Sequence, residues 1–139
     1  MLKIVIDTNQ FLSGFIFHGM MKAVFDLVPD NKLKLYVSSI LKAEVLRKLQ
    51  EFNISQKVQN EAMFFIETRG ILITPNVKVT ACRDKEDNFI LELAEDSEAD
   101  YIITRDKDLL ELPRKRWKST KIVKPEGFLS YLRGKKLLK

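Results

Sequence analysis

Two short runs of β-branched residues, Ile4-Val5-Ile6 and Ile102-Ile103, each lead directly into acids. Unbroken apolar runs of this kind read as strands covered on both faces, which points to a central, mostly parallel sheet flanked by helices. The first run continues as Asp7-Thr8-Asn9 and the second as Thr104-Arg105-Asp106-Lys107-Asp108. In open parallel sheets, ligands bind beyond the carboxyl ends of the strands, so these acids are expected in one cleft. Glu44, inside the helical run from Ser39 to Gln50, and Asp84-Lys85-Glu86-Asp87-Asn88, opening another helix, complete the pattern. Clustered carboxylates repel, and a hard divalent cation with oxygen ligands is the usual remedy. A metal-dependent enzyme acting on phosphates is the first hypothesis.

The rest of the chain alternates strands and helices, which predicts an α/β fold with a parallel sheet. Leu2–Ile6 and Leu33–Ser38 read as strands on either side of a helical region from Asn9 to Leu27. Gly14 and Gly19 should loosen the middle of that region, and Pro29-Asp30-Asn31 should turn after it. Ser39 is a candidate cap for the helix carrying Ile40, Leu41, Val45, Leu46 and Leu49; Ser55 can cap the next, with Gly70 as its stop. Ile71–Thr74 and Val77–Thr80 read as strand material, Asp87 to Asp96 as a helix and Asp106–Leu110 as a helical turn. Ile122-Val123 then forms a last short strand, and Pro125 suits the first turn of a closing helix through Leu132. No repeat, low-complexity segment or linker interrupts residues 1–139, so one domain is expected.

The 139 residues are 45% apolar, enough for a core without disulfides. A single cysteine, Cys82, excludes an internal disulfide and a cysteine-rich zinc site, and suits a reducing compartment. No run approaches the ~18 apolar residues of a membrane span, and no signal peptide is evident, so a cytoplasmic location with no membrane partner is expected. Charge is unevenly placed. Residues 114–139 hold ten Lys/Arg against one acid, Glu126, whereas 84–111 hold eleven acids against three bases. An acidic centre beside a basic surface suits cations together with a polyanion such as nucleic acid, although a lysine-rich solvated tail reads the same way.

Each acid also has a plainer reading. Asp7 or Asn9 can cap the following helix, and Glu44 can form an i,i+4 surface pair with Lys48. Asp84 and Asp87 can complement the helix dipole, or Asp84 can cap the helix while Asp87 points into the cleft. Thr104, Asp106 and Asp108 together form the most specific short motif.

Taken in order, the Asp-Thr-Asn after the first strand, the helical Glu44, Asp84-x-x-Asp87-Asn88 and Ala99-Asp100-Tyr101-Ile102-Ile103-Thr104-x-Asp106-x-Asp108-Leu109 resemble the PIN domain family. The stretches 83–88 and 104–110 resemble its bacterial and archaeal branch of toxin–antitoxin toxins. The resemblance runs over nearly the whole chain and implies a three-layer α/β/α sandwich that cleaves RNA phosphodiester bonds with Mg²⁺ or Mn²⁺. It places the catalytic acids at Asp7, Glu44, Asp87 and Asp106, with Glu51 as the other acid on that helix. Metal ligation falls to Asp7, Asp87, Asp106 and Asp108, and supporting roles to Asn9, Asp84 and Thr104. A cognate antitoxin and self-association through apolar helix faces are implied too, with Met63-Phe64-Phe65-Ile66 one such face or ordinary core.

Basic residues must then hold the RNA backbone. Candidates are Lys42, Arg47 and Lys48 beside Glu44, Arg105 and Lys107 between the acids, and the run Arg114, Lys115, Arg116 and Lys118. Trp117 can stack on a base or pack against the body of the protein. The two-histidine ribonuclease route is closed, because His18 is the only histidine. Three other readings stay open: an RNA-processing nuclease, a non-catalytic RNA-binding protein, and a phosphatase or phosphotransferase with Asp7 as phosphoryl acceptor.

Overall fold

The computed structural model describes residues 1–137. Strand β1 (Leu2–Ile6) is followed by helices α1 (Thr8–Phe17) and α2 (Gly19–Leu27), then β2 (Leu33–Val37), α3 (Ser39–Glu51) and α4 (Gln56–Arg69). Next come β3 (Gly70–Leu72), α5 (Lys85–Ser97), β4 (Tyr101–Ile103) and the short α6 (Lys107–Leu110). A hairpin of β5 (Arg116–Trp117) and β6 (Thr120–Val123) precedes α7 (Pro125–Gly134). Lys139, counted in the basic segment, lies outside the described residues.

The strands form one sheet in the order β3-β2-β1-β4-β6-β5, parallel throughout except for β5 against β6. From β1 the chain builds outward through β2 and β3, then crosses to β4 on the other side of β1 and continues to β6. The direction of winding therefore reverses between β1 and β4, which pair Ile4 with Tyr101, Val5 with Ile102 and Ile6 with Ile103. A crevice opens at the carboxyl ends of strands at such a reversal. Ile4, Val5, Ile6, Ile102 and Ile103 have no exposed surface, so both faces of the central strands are covered. This is the expected three-layer arrangement: a mostly parallel sheet flanked by helices.

Gly14 does not loosen its helix. A Cβ there would lie 2.2 Å from the Phe25 ring, so the missing side chain lets α2 close onto α1. Phe25 in turn stacks on Phe15 at 4.9 Å and meets Phe65 at 5.1 Å. The break between α1 and α2 falls at the exposed His18 and Gly19, whose φ values are +66° and +42°, so Gly19 does loosen the region as expected. Gly14→Ala is expected to cost roughly 1–3 kcal/mol by overpacking. A lowered melting temperature with an unchanged circular dichroism spectrum is the corresponding observation.

Other expectations shift by a residue or fail. Ser38, not Ser39, caps α3, its hydroxyl accepting from the Leu41 N–H at 3.1 Å. The buried stripe is then Leu41, Val45 and Leu49, and Ile40 is left 49% exposed. Ser55 does cap α4. Gly70 ends that helix in an extended conformation (φ −79°), and its role is close approach: a Cβ would sit 2.6 Å from the Ile66 carbonyl oxygen. Val77–Thr80 forms no strand; Val79 is anchored by its N–H donating to Glu92 at 3.0 Å. Of the run 63–66, Ile66 is buried, Met63 and Phe65 pack on the core, and Phe64 is exposed. Among the described residues, no helix is long and apolar enough to cross a membrane.

Candidate active site

Asp7 leaves β1 at the reversal point and does two things at once. Its Oδ1 accepts from the Gln10 N–H at 2.9 Å, capping α1, and its Oδ2 accepts from the Thr104 hydroxyl at the end of β4. Thr104, with no exposed surface, also accepts from the Asp106 N–H at 2.9 Å. One hydroxyl thus ties the ends of two adjacent strands and fixes both acids. Asp106 caps α6, its Oδ1 accepting from the Asp108 N–H at 2.8 Å and the Leu109 N–H at 3.4 Å. On the facing helix, Asp84 caps α5 by accepting from the Glu86 N–H at 2.9 Å, and one turn on Asp87 points inward. The capping reading and the cleft reading of Asp7, Asp84 and Asp106 are therefore compatible.

Asp7, Asn9, Asp84, Asp87 and Asp106 line one cavity of about 110 Å³, together with Lys48 and Glu86. Carboxylate oxygens of Asp87, Asp106 and Asp108 all lie within 4.8 Å of one another. Asp87 is only 6% exposed, and its buried Oδ2 has no hydrogen-bond partner. Among the described residues, no ion pair involves Asp7, Asp84, Asp87, Asp106 or Asp108. Three carboxylates gathered this closely, one of them buried with an oxygen that has no donor, could hold a hard divalent cation through oxygen ligands.

Electrostatics agree with the geometry. Burial lifts the Asp7 carboxyl to about 6, against the opposing hydrogen bonds from Thr104 and Gln10, with Asp106 adding to the rise. Burial and the charge of Asp106 lift Asp87 to about 7. Cys82, behind the same acids, has its thiol pushed up by burial and by Asp87. Thr104→Val is expected to lift Asp7 further and to cost roughly 1–3 kcal/mol, because the Asp7 Oδ2 and the Asp106 N–H lose their partner. Melting together with an NMR titration of the Asp7 carboxyl reads both effects.

Glu44 stands one step back. It pairs with Arg47, which also binds Glu51, and lies 3.9 Å from Lys48. It lines a neighbouring pocket with Ser38, Ile40 and Glu86, and Thr8, Glu86 and Ile90 line both pockets. Arg47 holds the Glu44 carboxyl below its ordinary value, while burial and Glu44 raise Glu86. Glu86 is therefore the acid joining Glu44 to the cleft.

The basic candidates disperse. Lys42 pairs with Glu67, and Lys48 turns inward to Asn9 and Glu86. Arg105 pairs with Glu126 at 2.8 Å and, with Lys107, Lys115 and Lys124, lines a broader cleft of about 580 Å³. Arg114 sits in the short turn before β5 at φ +59°. Arg116 and Trp117 pair with Lys121 and Thr120 near the amino end of β6, so Lys118 beyond them also sits away from the acids. Trp117 is packed: its indole donates to Glu95 at 2.9 Å, with the Lys118 ammonium 5.5 Å from the ring.

Three contributors escape the sequence reading, and a fourth, the motif residue Asn88, gains a role only in the structure. Glu86 was hidden among neighbouring acids, and Gln10 acts only through its backbone. Lys124 lines the basic cleft from just beyond β6. Asn88 clamps the loop entering α5, accepting from the Cys82 N–H at 2.8 Å and donating to its carbonyl at 2.9 Å. Its place directly after Asp87 was the available signal.

Residues 3–108, spanning every acid of the cleft, match the sequence model of the PIN domain. The chain belongs to the PIN domain family. An uncharacterized protein of Methanocaldococcus jannaschii is 32% identical over 117 residues, covering 80% of this chain and 75% of that one. Among solved structures, VapBC2 from Rickettsia felis, bound to a DNA fragment from its promoter, has a chain of the same fold. That chain superposes with a TM-score of 0.63 at 15% identity, over 87% of this PIN domain and 97% of its own length. PIN domains are generally nucleases that bind divalent metal, and the acidic cluster of this one fits such a site.

Proposed function

We propose that this PIN domain, over its whole length, is a Mg²⁺- or Mn²⁺-dependent endoribonuclease that hydrolyses RNA phosphodiester bonds. Its biological role is that of the toxin in a toxin–antitoxin pair, held inactive by a cognate antitoxin. The observation that carries the nuclease reading is the gathering of carboxylate oxygens of Asp87, Asp106 and Asp108 within 4.8 Å, with Asp87 buried and its Oδ2 unpartnered. Asp87, Asp106 and Asp108 would hold the ion, with Asp7 beside them. When bound, such an ion supplies Lewis-acid stabilisation of charge developing on the phosphate and favours ionised water.

The chain's own residues supply the rest. Thr104 holds Asp7 and the Asp106 backbone in register, and Asp84 and Asn88 fix the helix start that carries Asp87. Arg105, Lys107, Lys115 and Lys124 outnumber Glu111 and Glu126 in the broader cleft, which leaves it net cationic and able to hold the RNA backbone. Self-association fits the apolar groove lined by Leu12, Ile16 and the exposed Phe17 and Phe52, as does an antitoxin segment. Phosphoryl transfer through Asp7 is disfavoured, because both of its carboxylate oxygens are already engaged.

Purified protein should cut single-stranded RNA with Mn²⁺ or Mg²⁺ and not with EDTA, leaving 5′-phosphate ends. Absence of metal-dependent cleavage across varied RNAs, with phosphate trapped on Asp7, would transfer the case to phosphoryl transfer. Growth arrest on expression, relieved by the product of an adjacent small reading frame, tests the toxin role.

A further inference from the structure

Two sets of carboxylates meet across the cleft, and the chain treats them differently. Glu44 on α3 and Glu86 on α5 are each paired with both Arg47 and Lys48. The Lys48 ammonium stands 3.4 Å from Glu86, 3.9 Å from Glu44 and 3.3 Å from the Asn9 side-chain oxygen. Its side chain is only 18% exposed, and it lines the same cavity as Asp7, Asp87 and Asp106. Asp87, Asp106 and Asp108 have no such partner among the described residues, and the Oδ2 of Asp87 is buried without a donor. One set carries its cation on the chain; the other awaits one.

An ammonium is a compact point charge with three donors, able to sit among oxygen ligands where a hydrated ion would otherwise sit. Two-ion sites need oxygens shared by ions roughly 3.5–4 Å apart. Here the oxygens on the Asn9–Glu86 side are engaged by a fixed positive charge, backed by Arg47, and a dication brought there meets like charge. We propose that Lys48 is a positioning residue that takes the place of a second divalent ion, so that the cleft binds a single Mg²⁺ or Mn²⁺ at Asp87, Asp106 and Asp108. This rests on the metal-dependent reading above and sets its stoichiometry.

The test is titration of metal-free protein with Mn²⁺, counting bound ions by electron paramagnetic resonance and calorimetry, with no activity measurement. The parent and Lys48→Arg should each take up one equivalent, and Asp87→Asn should lose it. Lys48→Met, with its positive charge gone, should take up two. Glu86→Gln should keep the single equivalent, a readout that holds even where Lys48→Met does not fold. Two equivalents on the parent, one on folded Lys48→Met, or loss of the ion in Glu86→Gln overturns the proposal. A parent that binds no Mn²⁺ removes the metal-dependent reading itself, which is a distinguishable result.

Discussion

Asp106→Asn is expected to lower metal-dependent RNA cleavage by at least about 10³-fold while leaving RNA binding nearly unchanged, since a Lewis acid is worth several kcal/mol of barrier and each ~1.4 kcal/mol is tenfold. The substitution is gentle on the fold. An asparagine oxygen can accept the same bonds from the Asp108 and Leu109 N–H groups, and Asn caps helices about as well as Asp. What disappears is one charge of the Asp87, Asp106 and Asp108 cluster. Removing Arg105 and Lys115 should do the opposite, weakening binding and its salt dependence with less effect on the cleavage step at saturating RNA. Parallel single-turnover and binding measurements separate the two, and an Asp106→Asn protein that cleaves at the parental rate places the chemistry elsewhere.

Without metal, the protein should lose stability as pH rises from about 4 to 7, by an amount on the order of 3 kcal/mol for Asp7 alone. The sign follows from the direction of the shifts. The unfolded chain ionises these aspartates near 3.8, whereas the folded chain keeps their protons up to about 6 for Asp7 and about 7 for Asp87. Between those values the folded state binds more protons, so the stability these groups allow is complete below the unfolded value and falls as pH climbs through the folded ones. Mn²⁺ binds the ionised form and should reverse the loss: at a hundredfold excess over Kd it adds about 2.7 kcal/mol, or roughly 10 °C for a chain of this size. Melting curves at pH 5 and pH 8, in EDTA and in Mn²⁺, measure both. Coincident curves at pH 8 would separate the acid cluster from metal binding.

The parts of this molecule that depend on local pattern were legible in its residues. Buried β-branched runs announced β1 and β4, and the acids following them announced the cleft, because strand direction alone decides where those side chains emerge. Features fixed by neighbours distant in sequence were not. Lys48 reads as a surface partner of Glu44 at i,i+4 spacing; only the packing of α3 near α5 turns it toward Asn9 and Glu86. Gly14 reads as a helix breaker until Phe25 is seen filling its place. The two-residue β5 is too short for periodicity to mark it, and Val77–Thr80 has strand composition without a strand to pair with. The shift from Ser39 to Ser38 at the start of α3 is a choice between adjacent hydroxyls that composition cannot make.

The winding reversal has a kinetic consequence. Asp7 and Thr104 are 97 residues apart, and their bond requires β4 to insert beside β1 after β2 and β3 have been laid down on the other side. Pairing so remote in the chain is slow, because loop closure must precede any reward. A chain emerging from the ribosome holds its first acid early and lacks the surface that completes the cleft until residues past 108 are free. The cleft is thus completed only when this long-range contact forms, and a fragment ending before β4 carries Asp7, Glu44 and Asp87 without Thr104, Asp106 and Asp108.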